Sequence, residues 1–143
     1  MRSIVAKAIL LDKANNILIL RRSGTHPYWA FQLDLPGGSV EVDEEPLFAT
    51  VREIYEESGL RVAPTELQLA LAEDDEDDTH HHMLYWARLS HTTPRVQLSW
   101  EHDLAEWLPF SELATRTIAP NADSYFLRTM RYLHENHDQL VLR

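Results

Sequence analysis

Three glutamates close together in the chain could bind a metal ion. Glu53, Glu56 and Glu57 lie in the run from Pro46 to Gly59. If this run is a helix, each residue turns by about 100°, so the three carboxylates share one face. Mg²⁺ and Mn²⁺ take oxygen ligands and commonly keep waters and substrate phosphate oxygens, so clustered carboxylates are the expected protein ligands. The alternative is an amphipathic helix with an acidic face turned to solvent.

The surrounding residues favour the helix. Pro46 suits a first helical position, and Gly59 suits the left-handed residue that ends a helix. Apolar side chains recur on the face roughly opposite the glutamates, at Leu47, Val51 and Ile54. One side of the helix is therefore expected to enter the core while the other presents acids.

The remaining segments predict a mixed α/β domain. Asn15 and Asn16 favour the left-handed backbone of a hairpin turn. The acidic run Glu73–Asp78 is expected to form a solvated hairpin loop. Six strands are predicted from apolar and alternating patterns, at Ser3–Asp12, Asn16–Arg22, Trp29–Leu35, Arg61–Glu73, His80–Ser90 and Arg95–Trp100. Besides the glutamate helix, helical spacing predicts helices at Phe110–Arg116 and Asp123–His137.

Composition excludes several classes of function. The chain has 143 residues, no Cys, 13 Lys and Arg against 23 Asp and Glu, and a net charge of -10. The lack of Cys excludes disulfides, thiolate metal sites and a cysteine nucleophile. The acidic balance disfavours long nucleic acid as a partner. No apolar run is long enough to span a bilayer, so we expect a soluble, cytoplasmic protein with no membrane partner.

The spacing of the acids carries a resemblance to a known family. From Gly38 to Leu60 the chain matches G-x5-E-x7-R-E-U-x-E-E-x-G-U, where U is a bulky aliphatic residue. This segment resembles the Nudix box, with every fixed position matched. Further Nudix-like features are the basic pair Arg21-Arg22, the Pro-Gly-Gly entry to the box, and the pairs Glu101-His102 and Trp107-Leu108.

The resemblance implies a fold and an activity. The expected fold is the α/β class Nudix α/β/α sandwich, a mixed β-sheet between helices, formed by one domain over residues 1–143 with the box at residues 38–60. The implied activity is metal-dependent hydrolysis of a nucleoside diphosphate linked to another moiety, by water attack on phosphorus. A nucleoside triphosphate cleaved to monophosphate and pyrophosphate is favoured by the compact chain. Alternatives are a nucleotide sugar or dinucleotide, removal of a terminal phosphate or cap from RNA, and a non-catalytic nucleotide sensor. Nudix domains often pair, so a homodimer is also open.

The resemblance also assigns roles to residues. Glu53, Glu56 and Glu57 correspond to metal ligands, and Gly38 contributes a backbone carbonyl to the same metal. Arg52 orients the glutamates, and Glu44 is an outer-sphere partner. The general base is left open between Glu101 and a box glutamate.

Substrate contacts are less constrained by the pattern. Arg21 or Arg22 is expected to contact phosphate, and because they are consecutive in a strand, one of them must point to the other face. Trp29 and Phe31 could stack on a base or pack in the core. His102 is open between a substrate or proton role and a structural one. In the run His80–His82, alternate side chains share a face, so at most His80 and His82 could bind one metal ion, and a hairpin edge is the default expectation.

Overall fold

The protein was analysed as a computed structural model that describes residues 3–75, 79–90, 94–116 and 123–142. Seven strands and three α-helices lie within these ranges. The strands are β1 (Ser3–Leu11), β2 (Ile17–Arg22), β3 (Leu33–Asp34), β4 (Gly37–Ser39), β5 (Gln68–Asp74), β6 (His80–Arg88) and β7 (His102–Leu108). The helices are α1 (Pro46–Ser58), α2 (Phe110–Leu113) and α3 (Ser124–Leu142), and a short 3₁₀ helix covers Pro64–Glu66.

The strands form one mixed sheet. Its order is β3-β2-β1-β6-β5, with β4 also paired to β1 and β7 to β2. β1 and β6 run parallel over nine residue pairs, whereas the other pairings are antiparallel. The mixed sheet expected from the sequence is confirmed.

The two central strands diverge, and this divergence creates room for a site. β1 and β2 pair only at Leu11 and Ile17, after the turn where Asn15 has a φ of 65°. Beyond that point β4 pairs with β1 and β3 pairs with β2. The segment between residues 33 and 39 therefore lies in the opening between the strands.

Each face of the sheet is covered by a helix. β1 alternates its side chains, with Ile9 and Leu11 in a core that contains Phe126 and Leu133 of α3. Ala8 and Leu10 lie in the opposite core. That second core contains Ile54 and packs against Leu47 and Val51 of α1. This two-sided burial explains the continuous apolar sequence of β1 and confirms the α/β/α sandwich. Within the described ranges, no helix has the length and apolarity needed to cross a membrane.

Helix α1 begins and ends as predicted. Pro46 occupies the first turn, and Gly59 adopts a left-handed φ of 75° while its N–H donates to the Tyr55 carbonyl. Helix α3 extends to residue 142, beyond the predicted end at His137. The predicted helix at Phe110–Arg116 is shorter, ending at Leu113.

One predicted strand is absent, two are shorter than predicted, and two strands, β4 and β7, were not predicted. Instead of a strand over Trp29–Leu35, only Leu33–Asp34 pairs, because Trp29 and Phe31 take left-handed φ values of 51° and 64°. The strand predicted from Arg61 begins only at Gln68, after the proline-initiated 3₁₀ helix. Residues 95–100 form no strand, and the missed strand β7 follows them directly.

Candidate metal centre

A cavity of about 670 Å³ lies beside the opening between β1 and β2. Its lining comes from β1, β2 and the loop that follows it, β3, β4, β6, α1, the segment before β7 and the start of α3. The volume lies in the usual range for sites that enclose a small molecule. Because so many elements contribute, the cavity depends on the tertiary fold rather than on any one motif.

The three box glutamates do not have equivalent positions. Glu53 and Glu57 line the cavity, and Glu57 is only 2% exposed. Glu56 lies outside this lining, with a side chain that is 54% exposed and 3.2 Å from Arg52. Two box carboxylates therefore face the cavity, and the third lies at the helix surface.

Glu57 is a buried carboxylate with little compensation for its charge. The Gly37 N–H donates to its Oε1 at 2.9 Å. Burial and the nearby charge of Asp34 nevertheless raise the pKa of Glu57 well above its ordinary value. A carboxylate in this environment is stabilised in its ionised form by a bound cation.

Glu53 packs directly against Gly38. A Cβ atom added to Gly38 would lie 3.2 Å from the Glu53 carboxyl carbon. Partial burial raises the pKa of Glu53. Among the neighbouring charges, Arg52 acts to lower this pKa and Glu56 acts to raise it. The glycine predicted to contribute a carbonyl to the metal therefore does lie beside one of the proposed ligands.

Arg52 joins the glutamates to the loop before α1. Its Nε and Nη2 donate to the two oxygens of Glu44 at 2.8 and 2.9 Å, and its Nη1 donates to Glu53 at 3.1 Å. The bond to Glu44 raises the pKa of Arg52 further above its ordinary value. The bidentate pair fixes the guanidinium plane beside Glu53. The orienting role of Arg52 and the outer-sphere role of Glu44 stay predictions.

The residues before and at the start of β7 complete the group. Glu57, Glu101 and His102 each offer a ligand atom, and these atoms lie within 4.8 Å of one another. Glu101, one of the candidates for the general base, also lines the cavity. Among the described residues, this trio is the arrangement of acidic and histidine ligands that could hold one ion.

A buried carboxylate, Asp34, contacts His102. Asp34 was not identified from the sequence as part of the site. Asp34 accepts from Lys7 at 2.5 Å and from His102 Nε2 at 2.8 Å, and Arg22 lies 3.5 Å away. Burial acts to raise the pKa of Asp34, but Lys7, His102 and Arg22 outweigh it and hold that pKa well below its usual range. No sequence spacing links these residues, because Lys7, Asp34 and His102 come from three separate strands.

The two consecutive arginines point in different directions, as predicted. Arg22 is buried, lines the cavity and lies 3.4 Å from Asp123. Arg21 points away from the cavity and pairs with Asp103 at 2.8 Å. Of the two, Arg22 is the one placed near a bound ligand.

The two candidate aromatic residues also separate. Trp29 lines the cavity, and the Arg22 guanidinium lies 5.6 Å from its ring centroid. Phe31 lies outside the lining, is 63% exposed and packs over Gly24. The two residues do not lie in a strand as predicted, since both lie in a turn with left-handed backbone.

The histidine run and the acidic run meet at the hairpin of β5 and β6. His80 and His82 line the cavity, whereas His81 pairs with Asp74 at 2.8 Å. The start of the acidic run, Glu73 and Asp74, belongs to β5 rather than to a loop. Asp75 follows β5 and donates its N–H to the His80 carbonyl, and residues 76–78 of the predicted loop lie outside the described residues.

Comparison with known proteins gives a family match. A model of the NUDIX domain matches residues 1–130. An RNA pyrophosphohydrolase from Acidiphilium cryptum (strain JF-5) is 42% identical over 52 residues, which is 36% of this chain and 32% of that protein. An 8-oxo-dGTP diphosphatase from Proteus vulgaris is 36% identical over 76 residues, 51% of this chain and 64% of that protein. The chain thus spans less than two thirds of the length of these curated relatives.

Solved structures agree with the observed architecture. The MutT protein from Methanosarcina mazei Go1 superposes with a TM-score of 0.74 and 25% identity, covering 94% of this chain and 95% of that one. A Caenorhabditis elegans Ap4A hydrolase superposes with a TM-score of 0.71 and 21% identity, covering 99% of both chains. At that level of identity, the second likeness concerns the fold alone.

Proposed function

The chain belongs to the NUDIX domain family, and on that premise we propose that it is a divalent-metal-dependent pyrophosphohydrolase acting on a small nucleotide. One observation carries the proposal. Glu53, Glu57 and Glu101 line a single cavity that also presents Arg22 and Trp29. Carboxylates grouped in this way repel one another unless a cation lies among them, and a cation is the partner that a phosphate chain requires.

The residues of the cavity fit a resident Mg²⁺ or Mn²⁺. Glu53, Glu57 and Glu101 supply oxygen atoms, and the His102 Nδ1 beside them is buried without a hydrogen-bond partner among the described residues. When bound, the metal would neutralise charge on the phosphate oxygens and lower the pKa of a coordinated water. Glu56 remains one of the proposed metal-binding glutamates, at the outer side of the site, where Arg52 donates to both Glu53 and Glu56.

The protein's own groups would position the substrate and accept a proton. Glu53 and Glu101 both line the cavity, and they are the two carboxylates proposed to accept the proton of the attacking water. Trp29, also in the cavity lining, offers a partly exposed ring on which a base could stack, and the Arg22 guanidinium lies beside that ring. We assign Arg21 and Phe31 no contact with the substrate, because neither lines the cavity.

We propose a nucleoside triphosphate, cleaved to monophosphate and pyrophosphate, as the preferred substrate. The cavity volume of about 670 Å³ suits one nucleotide better than two. The name of the Proteus vulgaris relative, an 8-oxo-dGTP diphosphatase, points to the same substrate class. Nucleotide sugars and dinucleotides are the alternatives that the assay must separate.

The experiment is a substrate panel with added Mg²⁺ or Mn²⁺. Purified protein would be incubated with nucleoside triphosphates, 8-oxo-dGTP, ADP-ribose and Ap4A, and the products would be identified by ion-exchange chromatography. We expect metal-dependent release of pyrophosphate from a triphosphate. Tight nucleotide binding without turnover of any substrate would overturn the proposal in favour of a sensor.

A further inference from the structure

His102 is a buried histidine with one nitrogen bound and the other free. Its side chain is 1% exposed, and Nε2 lies 2.8 Å from Asp34 Oδ2. Nδ1 has no hydrogen-bond partner among the described residues. Buried polar atoms are almost always paired, so an unpaired ring nitrogen close to the carboxylates of Glu57 and Glu101 calls for a ligand.

The contact with Asp34 determines which nitrogen carries a hydrogen. A carboxylate flanked by two cations, Lys7 and Arg22, is an acceptor, so His102 Nε2 must be the donor. In the neutral ring Nδ1 then has an unshared electron pair. The same arrangement, a carboxylate behind a histidine, orients metal-binding histidines in many proteins.

The free nitrogen faces carboxylates rather than hydrogen-bond donors. His102 Nδ1 lies 3.8 Å from Glu57 Oε2, which is too long for a hydrogen bond. The ligand atoms of Glu57, Glu101 and His102 lie within 4.8 Å of one another. Ligands about 2.1 Å from one octahedral ion are separated by roughly 3.0 to 4.2 Å, so small side-chain shifts would bring all three onto it.

We propose that His102 Nδ1 is a direct metal ligand, shared with Glu57 and Glu101, and that it makes this site prefer Mn²⁺ over Mg²⁺. The inference rests on the proposed function, because it concerns the same metal centre. An imidazole nitrogen is a common ligand for transition-metal ions, whereas Mg²⁺ strongly favours oxygen ligands. The metal preference follows from one side chain that lies outside the box.

The test is pulsed electron paramagnetic resonance on the full chain loaded with Mn²⁺ alone. A coordinated imidazole gives nitrogen modulation of the Mn²⁺ echo, and labelling the histidines with nitrogen-15 changes its frequency. We expect this signal in the wild type and its loss in H102Q. Gln retains an amide that can donate to Asp34 near the position of Nε2, but it offers no atom at the position of Nδ1.

A matched control comes from a second histidine close to His102. His26 lines the cavity, and its ring lies 6.3 Å from that of His102, but both its nitrogens lie within 3.3 Å of Arg22 Nη1. H26Q should retain the nitrogen signal and bind Mn²⁺ within about twofold of the wild type. H102Q should weaken Mn²⁺ at least about tenfold and Mg²⁺ much less, measured by calorimetry.

The possible outcomes separate this inference from the proposed function. Mn²⁺ binding without nitrogen modulation in the wild type, or modulation that persists in H102Q, would overturn the ligand assignment. Metal-dependent hydrolysis would remain intact in that case. Equal losses for Mn²⁺ and Mg²⁺ in H102Q would identify His102 as a structural residue instead. No binding of either metal, together with no metal-dependent turnover, would overturn both.

Discussion

At the scale of single residues, burial distinguishes glutamates that the motif treats alike. Glu57 is 2% exposed, whereas the Glu56 side chain is 54% exposed. Removing the charge of Glu57 would weaken binding of the cation that the cavity carboxylates share. Removing the charge of Glu56 would affect a position that water already solvates. The two positions therefore predict unequal effects on catalysis.

Glu57→Gln should reduce kcat at least about 100-fold, because the amide removes an anionic ligand from the cavity. Glu56→Gln should reduce kcat by about tenfold or less, since its main contact is with Arg52 at the surface. Steady-state kinetics at saturating metal would measure both. Equal losses in the two variants would contradict the distinction by burial.

Substitutions of the two adjacent glycines before α1 are expected to have different effects, one on stability and the other on metal binding. Gly37 has a φ of 134°, and a Cβ there would lie 2.4 Å from the Ala6 carbonyl oxygen. Gly37→Ala should lower the free energy of unfolding by roughly 3 kcal/mol or more. Gly38→Ala would instead press on the movable end of Glu53 at 3.2 Å. It should leave thermal stability nearly unchanged and weaken Mn²⁺ binding.

Each glycine variant serves as the control for the other. Thermal denaturation and metal calorimetry on both would separate the fold from the site. If Gly38→Ala unfolded the protein or left the metal affinity unchanged, the packing of Gly38 against Glu53 would not have the role proposed for it.

The sequence located the box residues but not the group that surrounds them. Glu53, Glu57 and Arg52 share one helix, so helical spacing places them together. Asp34 and Lys7 have no fixed spacing to the box, and their contact arises only because β1 and β2 diverge. Arg22 could be separated from Arg21 in advance because strand neighbours face opposite sides.

At the scale of elements, strand prediction failed where the backbone departs from regular geometry. Trp29 and Phe31 alternate like strand residues, but their positive φ values place them in a turn. β7 was missed because its sequence mixes polar and apolar residues at a partly exposed position in the sheet. Helix α1 was correct because it has a proline start, a glycine end and an apolar face.

The contact between α3 and β5 predicts a pH-dependent contribution to stability. Glu73 of β5 accepts from Arg128 at 2.5 Å and from Arg131 at 2.8 Å. Partial burial acts to raise the pKa of Glu73, but the two arginines lower it below its ordinary value of 4.5. A lowered carboxyl pKa contributes stability above the ordinary value, which is lost as pH falls through the lowered one.

Glu73→Gln should therefore cost about 0.5 to 1 kcal/mol of unfolding free energy near pH 7, allowing for solvent screening. The difference from the wild type should shrink as pH falls below 4.5, and salt should reduce it. Urea denaturation across this pH range would measure it. Glu135→Gln, at an exposed position of α3, is the matched control and should show no such trend.

At the scale of the whole molecule, the charge of -10 acts differently at long and short range. Over the surface it repels polyanions, since an acidic field extends about one Debye length into solvent. Within the cavity, metal held by the carboxylates would provide the positive charge that attracts a phosphate chain. We therefore expect a short polyanion to bind at the cavity and a long one to be disfavoured.

This contrast predicts discrimination between two substrates with the same reacting group. A nucleoside triphosphate should be hydrolysed with a kcat/KM at least about tenfold higher than a 5′-triphosphorylated RNA of about 20 nucleotides at low salt. The RNA carries additional phosphates that must approach the acidic surface. Raising KCl from about 20 to about 150 mM shortens the Debye length and should narrow the difference. Pyrophosphate release with Mn²⁺ at saturating concentration would measure both rates.

A variant with fewer distant acids tests whether the surface field is the cause. Glu135→Gln combined with Asp138→Asn removes two exposed charges from α3 while leaving the cavity residues in place. At low salt this variant should process the RNA faster than the wild type does, with little change for the mononucleotide. If the RNA were hydrolysed as fast as the mononucleotide at low salt, local contacts that bind the RNA strand would outweigh the repulsion from the net charge. The proposed substrate would then be a triphosphorylated RNA rather than a mononucleotide.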